Sequence, residues 1–394
     1  MVKGCKLNNS AVTERSYGLD VFRAFAIIFV LIGHVLEHSS ISPHILVFSR
    51  LGILGVELFF VLSGFLIGSI IIRLIEDNRF HSAKAVASFW VRRWLRTLPL
   101  YFVILLAFIR FDYHGRHSLF EYPLYFVFAQ NIAYKIPDFF ELSWSLAIEE
   151  HFYLWFPIVF LIWKSITRRS SYALVLTAAT FVFVAYLFRV SHPLFHDWNE
   201  YNRTIRLTVL SRIDAIMGGV LMAWLKNYRQ EIFNFTRKMT PFSLISFVTL
   251  SAWWFSGAPH LMESRFLQIN LFTIQALFCA LLLPWFDGWK SDAKTQDFFV
   301  LTSRLSYSLY LVHILVIVAV NRMLAHFGLF DQIYANPFLL YFLYFSFFYF
   351  VSWVTYSAIE KPFLRLRDVG FSVRSIIQAS WMAFPLCVVL VFFF

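Results

Sequence analysis

Apolar stretches about 20 residues long, enough to span about 30 Å of hydrocarbon, recur from the start of this chain to its end. Eleven lie near residues 18–38, 51–72, 97–110, 144–163, 172–190, 207–226, 241–257, 266–286, 305–326, 337–357 and 375–394, the third of them short. Inside a bilayer every backbone N–H and C=O must find a partner within the chain, and apolar runs of this length do so as α-helices. Composition agrees: 59% of residues are hydrophobic, 14% are charged and 49 are Phe, too little polar surface to coat a water-exposed globule. The sequence therefore predicts an all-α polytopic membrane helix bundle of about 10–11 transmembrane helices around a central cavity, in one integral domain over 1–394. Cys5, Cys279 and Cys387 are far apart in the chain, so neither a disulfide framework nor a cysteine metal site is expected. The first fifteen residues are polar and the run after them is long enough to stay as an anchor, so no cleavable signal peptide is expected.

Lys and Arg gather in alternate connections. With the N-terminus in the cytoplasm, inner connections hold sets such as Arg73, Arg79, Lys84, Arg92, Arg93 and Arg96, or Lys361, Arg365, Arg367 and Arg374, while outer ones are sparse, as at Arg50 or Arg322. The positive-inside bias then predicts a multi-pass protein of the cytoplasmic (inner) membrane, its N-terminus cytoplasmic and its C-terminus extracytoplasmic. The net charge of +11 reads as topology and contact with anionic membrane lipid, and implies no nucleic-acid partner.

Ionisable groups at membrane depth are costly and line cavities or pathways. Arg23 and His34, eleven residues apart in the first run, share one helix face, about 17 Å apart along the axis. On the predicted topology His34 and Glu57 lie toward the outer side at one level, and Glu149 and Glu150 fall in the outer half of their span. A histidine beside one of these carboxylates would be oriented and made more basic, as general-base chemistry on a hydroxyl requires. Arg92, Arg93 and Arg96 begin the third span at spacings of three and four, clustering three guanidinium groups suited to phosphates. This arrangement suits a long ligand with an anionic end inside and a reactive end further out. Arg212 and Asp214 read as an ion pair across one turn. His313 is balanced between core hydrogen bonding and a role in the cavity. Ser63, Gly64 and Gly68 suit tight helix packing. No His and carboxylate set has metal-ligand spacing, so no metal is expected.

Together these residues carry a resemblance. Leu19 to Ala24 with His34, Gly55 to Leu66, Phe89 to Tyr101, Trp144 to Pro157, Ser211-Arg212-Ile213-Asp214 with Gly218, Ser306 to His313, and Glu360-Lys361-Pro362-Phe363 resemble the successive motifs of the acyltransferase 3 family. These are integral-membrane acyltransferases of surface polysaccharides, peptidoglycan, periplasmic glucans, Nod factors and macrolides. The family-like core covers 16–367, with an additional C-terminal transmembrane helix at 375–394. The resemblance implies acetyl-CoA or a related acyl-CoA as donor and co-substrate, and a carbohydrate or glycolipid acceptor. It makes His34 the essential base or acyl acceptor, Arg23 its partner, and Arg93 with Arg96 the groups that engage the CoA phosphates. Trp144, Glu149 and Tyr153 match a functional segment, and Asp20 lies in the first motif. Some family members append an SGNH hydrolase-like domain; none is expected here, and direct transfer from the membrane domain is the expectation. The expected activity is O-acylation of a hydroxyl on a surface or lipid-linked glycan, through one continuous cavity joining His34 to the arginine cluster. A proton-coupled transporter of a glycan or lipid precursor is the rival, though repeated halves and broken helices, its usual marks, are not found in the sequence.

Overall fold

The computed structural model describes residues 16–38, 47–80, 82–111, 121–134, 139–258, 260–290 and 296–369. Its long helices are α1 (Tyr17–His38), α2 (Leu51–Glu76), α3 (Ala83–Phe111), α4 (Ser143–Thr167), α5 (Ser170–Val190), α6 (Ala215–Tyr228), α7 (Thr240–Phe255), α8 (Arg265–Asp287), α9 (Gln296–His326) and α10 (Pro337–Thr355). Among the described residues, seven helices are long and apolar enough to cross a membrane, or eight if one bent pair counts as a span. Ten of the eleven apolar runs fall on these helices, and the run at 375–394 lies outside the described residues. The difference from the expected number has local causes. The run at 97–110 is the end of a 29-residue helix whose first half carries Arg92, Arg93 and Arg96, and α7 has only 16 residues.

The run near 207–226 is broken, contrary to the unbroken span expected there. Trp198–Arg206 and Val209–Tyr228 meet at 81°, across a π-helical turn at Asn202–Arg206. A break at this depth frees backbone groups that need partners. The segment before α4 supplies them: Asn131 Nδ2 donates to Leu207 O at 2.6 Å, Val209 N donates to Asn131 O at 2.9 Å and Leu210 N to Ile132 O at 3.1 Å. Gln130 and Asn131 are accordingly buried.

Helix α1 packs on α2 and α9, α2 packs on α6 and α8, and α4 packs on α5. Small residues set the closest of these approaches. A Cβ on Gly64 would stand 1.9 Å from Ile216 O, and one on Gly219 would stand 1.9 Å from Val61 O, so α2 and α6 touch backbone to backbone. The packing role read for Gly64 and Gly68 is borne out on that face. Around these contacts runs a continuous apolar core that includes Phe22, Phe60, Phe65, Leu309 and Phe348.

Candidate functional site

Among the described residues, two of the cavities between the helices gather the candidate groups. One, about 810 Å³ with its opening to solvent included, is lined by Arg23 from α1, Ser63 from α2, Arg93, Arg96 and Thr97 from α3, Glu149 and Tyr153 from α4, and Tyr307 from α9. The other, about 1360 Å³, is lined by His34, Glu37 and His38 from α1, Trp144 from α4, Glu141, and Trp198, Asn202 and Arg206 from the broken span. Val56 and Tyr310 belong to both walls. The expected single cavity is therefore two compartments that abut at Val56 and Tyr310, with Arg23 and His34 of one helix serving one each. Tyr310 is fixed at that junction, since its hydroxyl donates to Leu142 O at 3.0 Å and lies 2.6 Å from Ser145 Oγ.

In the arginine compartment the Glu149 carboxylate accepts from Ser63 Oγ at 3.0 Å and from Tyr153 OH at 2.9 Å. Arg93 lies over the Phe89 and Tyr153 rings, each 5.8 Å from its guanidinium carbon. Trp90 Nε1 donates to Tyr153 O at 3.0 Å, tying α3 to α4. Arg93 and Arg96 thus converge with Arg23, whereas Arg92 is exposed and lines neither cavity. The spacing placed all three guanidinium groups within one arc of α3, but the bundle covers only the Arg93 side of it. Glu150 is in neither cavity's lining and accepts from Thr97 Oγ1 at 2.8 Å.

In the other compartment His34 makes no hydrogen bond to a carboxylate among the described residues, although Glu37 and Glu141 line the same wall. Its Nδ1 lies 2.9 Å from Val30 O and 3.3 Å from His313 Nε2, with ring centroids 4.9 Å apart. Glu149 faces the arginine compartment, and Glu57 is held by a buried ion pair with Arg212. This corrects the expectation that one of these carboxylates orients the imidazole. It also corrects the local pair at Arg212 and Asp214. Arg212 reaches Glu57 and lies over Phe272 at 4.2 Å, while Asp214 pairs with Arg189 at 2.7 Å and accepts from Thr273 Oγ1 at 2.6 Å. Both pairs join distant segments because at full burial each charge needs an opposite one across a helix contact, and neighbours on one turn do not supply that geometry. Asp20 accepts from Ser303 Oγ at 2.6 Å, fastening α1 to α9.

Several residues in these walls carried no reading in the sequence. Arg206 stands over Trp144 at 4.9 Å and donates to Asn202 Oδ1 at 3.0 Å. Asn131 joins Trp144 O to Leu207 O and so sets the Trp144 helix start against the broken span. Tyr310 sat inside a quoted motif and could have been marked there.

Comparison with known proteins follows this geometry. The profile described as an acyltransferase domain, that of the acyltransferase 3 family, matches residues 16–357. O-acetyltransferase OatA of Staphylococcus aureus strain NCTC 8325 is 26% identical over 391 residues, covering 90% of this chain and 57% of that protein. Peptidoglycan O-acetyltransferase OatA of Listeria monocytogenes is 32% identical over 164 residues, 37% of this chain and 24% of that protein. A protein of Staphylococcus aureus strain COL, named provisionally as an O-acetyltransferase, is 24% identical over 371 residues, 88% of this chain. This chain spans 57% of that protein's length. No solved structure matches. With the profile match running from the helix that carries Arg23 and His34 to the last long helix of the bundle, the chain belongs to the acyltransferase 3 family.

Proposed function

We propose that the chain is a membrane O-acyltransferase that moves an acyl group, acetyl first among them, from cytoplasmic acyl-CoA to a hydroxyl of an envelope glycan. The observation that carries this reading is the abutment of two unlike compartments, one holding Arg23, Arg93 and Arg96 and the other His34. Guanidinium groups grip phosphate by charge-assisted, often bidentate hydrogen bonds. An anionic donor anchored there extends its thioester past the Val56 and Tyr310 junction toward His34, which lies about 17 Å from Arg23 along α1 by helical rise. The relatives named as O-acetyltransferases support acetyl transfer, and the peptidoglycan named for one of them supports a glycan acceptor. On this reading the arginine compartment faces the cytoplasm, with the N-terminus, and the His34 compartment faces outward, with the C-terminus beyond the last span.

In the transfer the acceptor oxygen attacks the thioester carbonyl while its proton passes to His34 Nε2. Collapse of the tetrahedral adduct breaks the C–S bond, and the departing sulfur recovers the proton from the His34 imidazolium. Arg206, in the wall of the same compartment, supplies a cation for the negative oxygen of the adduct. Trp144, Trp198, Asn202 and Glu141 offer ring faces and polar edges of the kind that hold sugars. Glu149, held by Ser63 and Tyr153, balances the charge of the arginine compartment.

The test is labelled acetyl-CoA with purified protein in liposomes and a glycan acceptor. Wild type should label the acceptor and release CoA, and His34→Ala should lose at least about 100-fold in rate while remaining inserted and folded. Wild-type rates in that variant would remove the mechanism, and CoA-independent flux of a glycan precursor would favour a transporter instead.

A further inference from the structure

His313 lies wholly inside the bundle on α9, in contact with His34 and with the Phe348 ring. The proton positions on the two imidazoles follow from their backbone contacts. A carbonyl oxygen only accepts, so the 2.9 Å from His34 Nδ1 to Val30 O puts the proton of the neutral ring on Nδ1. The 3.1 Å from His313 Nδ1 to Leu309 O does the same for the second ring. His313 Nε2 is then a bare lone pair 3.3 Å from His34 Nδ1, and the His34 Nδ1–H is shared between that lone pair and Val30 O. Of the four ring nitrogens, only His34 Nε2 keeps a lone pair without a hydrogen-bond partner among the described residues.

We infer that His313 is a positioning residue for acyl transfer: it accepts the Nδ1–H bond of His34, fixing the tautomer that leaves Nε2 as the base. This rests on the transfer reading above. As the acceptor O–H bond breaks, its proton joins His34 Nε2. The Nδ1 proton stays on His34, and its bond to His313 becomes charge-assisted and stronger. Nothing leaves or enters His313. The arrangement follows the logic by which a carboxylate steadies a catalytic histidine, but a neutral ring does it. That suits a site where each further buried charge would need its own partner.

The experiment compares His313→Asn with His313→Gln. The Asn carboxamide can keep the bond to Leu309 O yet cannot reach His34, whereas the longer Gln can place its oxygen near the former Nε2 position. His313→Asn should lower kcat about 10- to 100-fold, the range for losing a hydrogen bond to a charged group, with KM for acetyl-CoA unchanged. His313→Gln should recover at least about 10-fold of that loss. Equal losses in the two variants, a loss confined to KM, or wild-type kcat in His313→Asn would overturn the inference while leaving the His34 mechanism standing. A wild type without transfer activity would count against the transfer reading itself. Independently of turnover, ¹⁵N-histidine NMR should find both rings protonated at Nδ1. A neutral His313 ring protonated at Nε2 would sink the inference whatever the activity.

Discussion

Replacing Glu57 by Gln isolates what its buried charge does. The side chain keeps its shape and a carbonyl for Arg212, but the guanidinium loses its counter-charge at a site where both residues are 0% exposed. Removing one member of such a pair typically costs about 3–5 kcal/mol, since the remaining charge stays desolvated. The face of Phe272, 4.2 Å from the guanidinium carbon, is there in both proteins and so does not reduce the difference between them. A loss of about 3–5 kcal/mol is expected, a shift of roughly 160- to 5000-fold in the unfolding equilibrium. Adding Arg212→Met removes the stranded charge and should return most of the stability, because an apolar replacement of a buried pair is often neutral. The assay is a double-mutant cycle by SDS-titrated unfolding in mixed micelles, with acetyl transfer measured on each folded variant. Two results would refute the reasoning. If Glu57→Gln is as stable as wild type, the pair is not the lock described. If the double variant is stable yet inert, Glu57 takes part in the chemistry after all.

Arg93→Ala and Arg96→Ala should each weaken donor binding about 10- to 100-fold with kcat largely kept, whereas Arg92→Ala should change it less than about 2-fold; isothermal titration with acetyl-CoA separates the three. Gly64→Ala should destabilise by about 1–3 kcal/mol or more, since its Cβ would sit 1.9 Å from the Ile216 carbonyl oxygen. Gly328→Ala, with open space around it, should differ from that mainly through its positive φ of 67°, and comparison of the two by thermal aggregation checks the packing argument.

What the sequence made legible was whatever depends on neighbours along the chain. Apolar run length placed ten of the helices, and helical spacing put Arg23 and His34 on one face and Arg93 beside Arg96. What stayed hidden depends on contacts between remote segments. Glu57 and Arg212 are 155 residues apart, and no local pattern says that they meet. His34 and His313 are 279 apart, and the expectation that Glu57, Glu149 or Glu150 orients His34 failed because the side chain within hydrogen-bond distance of its Nδ1 is a second imidazole. The break before α6 was invisible because no Gly or Pro marks it. Leu207 and Thr208 leave the helix where Asn131, from elsewhere in the chain, partners the Leu207 carbonyl and the Val209 N–H. Arg92 was misplaced for a related reason: periodicity gives a helix face, and only the bundle decides which edge of that face is covered.

The backbone contact of α2 with α6 at Gly64 and Gly219 bears on how a bulky donor gets in. Main-chain atoms already at touching distance leave those two helices no slack to slide or rotate, so they act as a fixed jaw. The opposite jaw, α3 and α4, is held to the rest by side-chain bonds such as Ser63 to Glu149 and Tyr307 to the Thr97 carbonyl, which can break and remake without any steric collision. On the proposed acyl-CoA reading, widening of the arginine compartment for donor entry therefore belongs to α3 and α4, and a crosslink between α2 and α6 should leave loading untouched where one between α2 and α4 stops it.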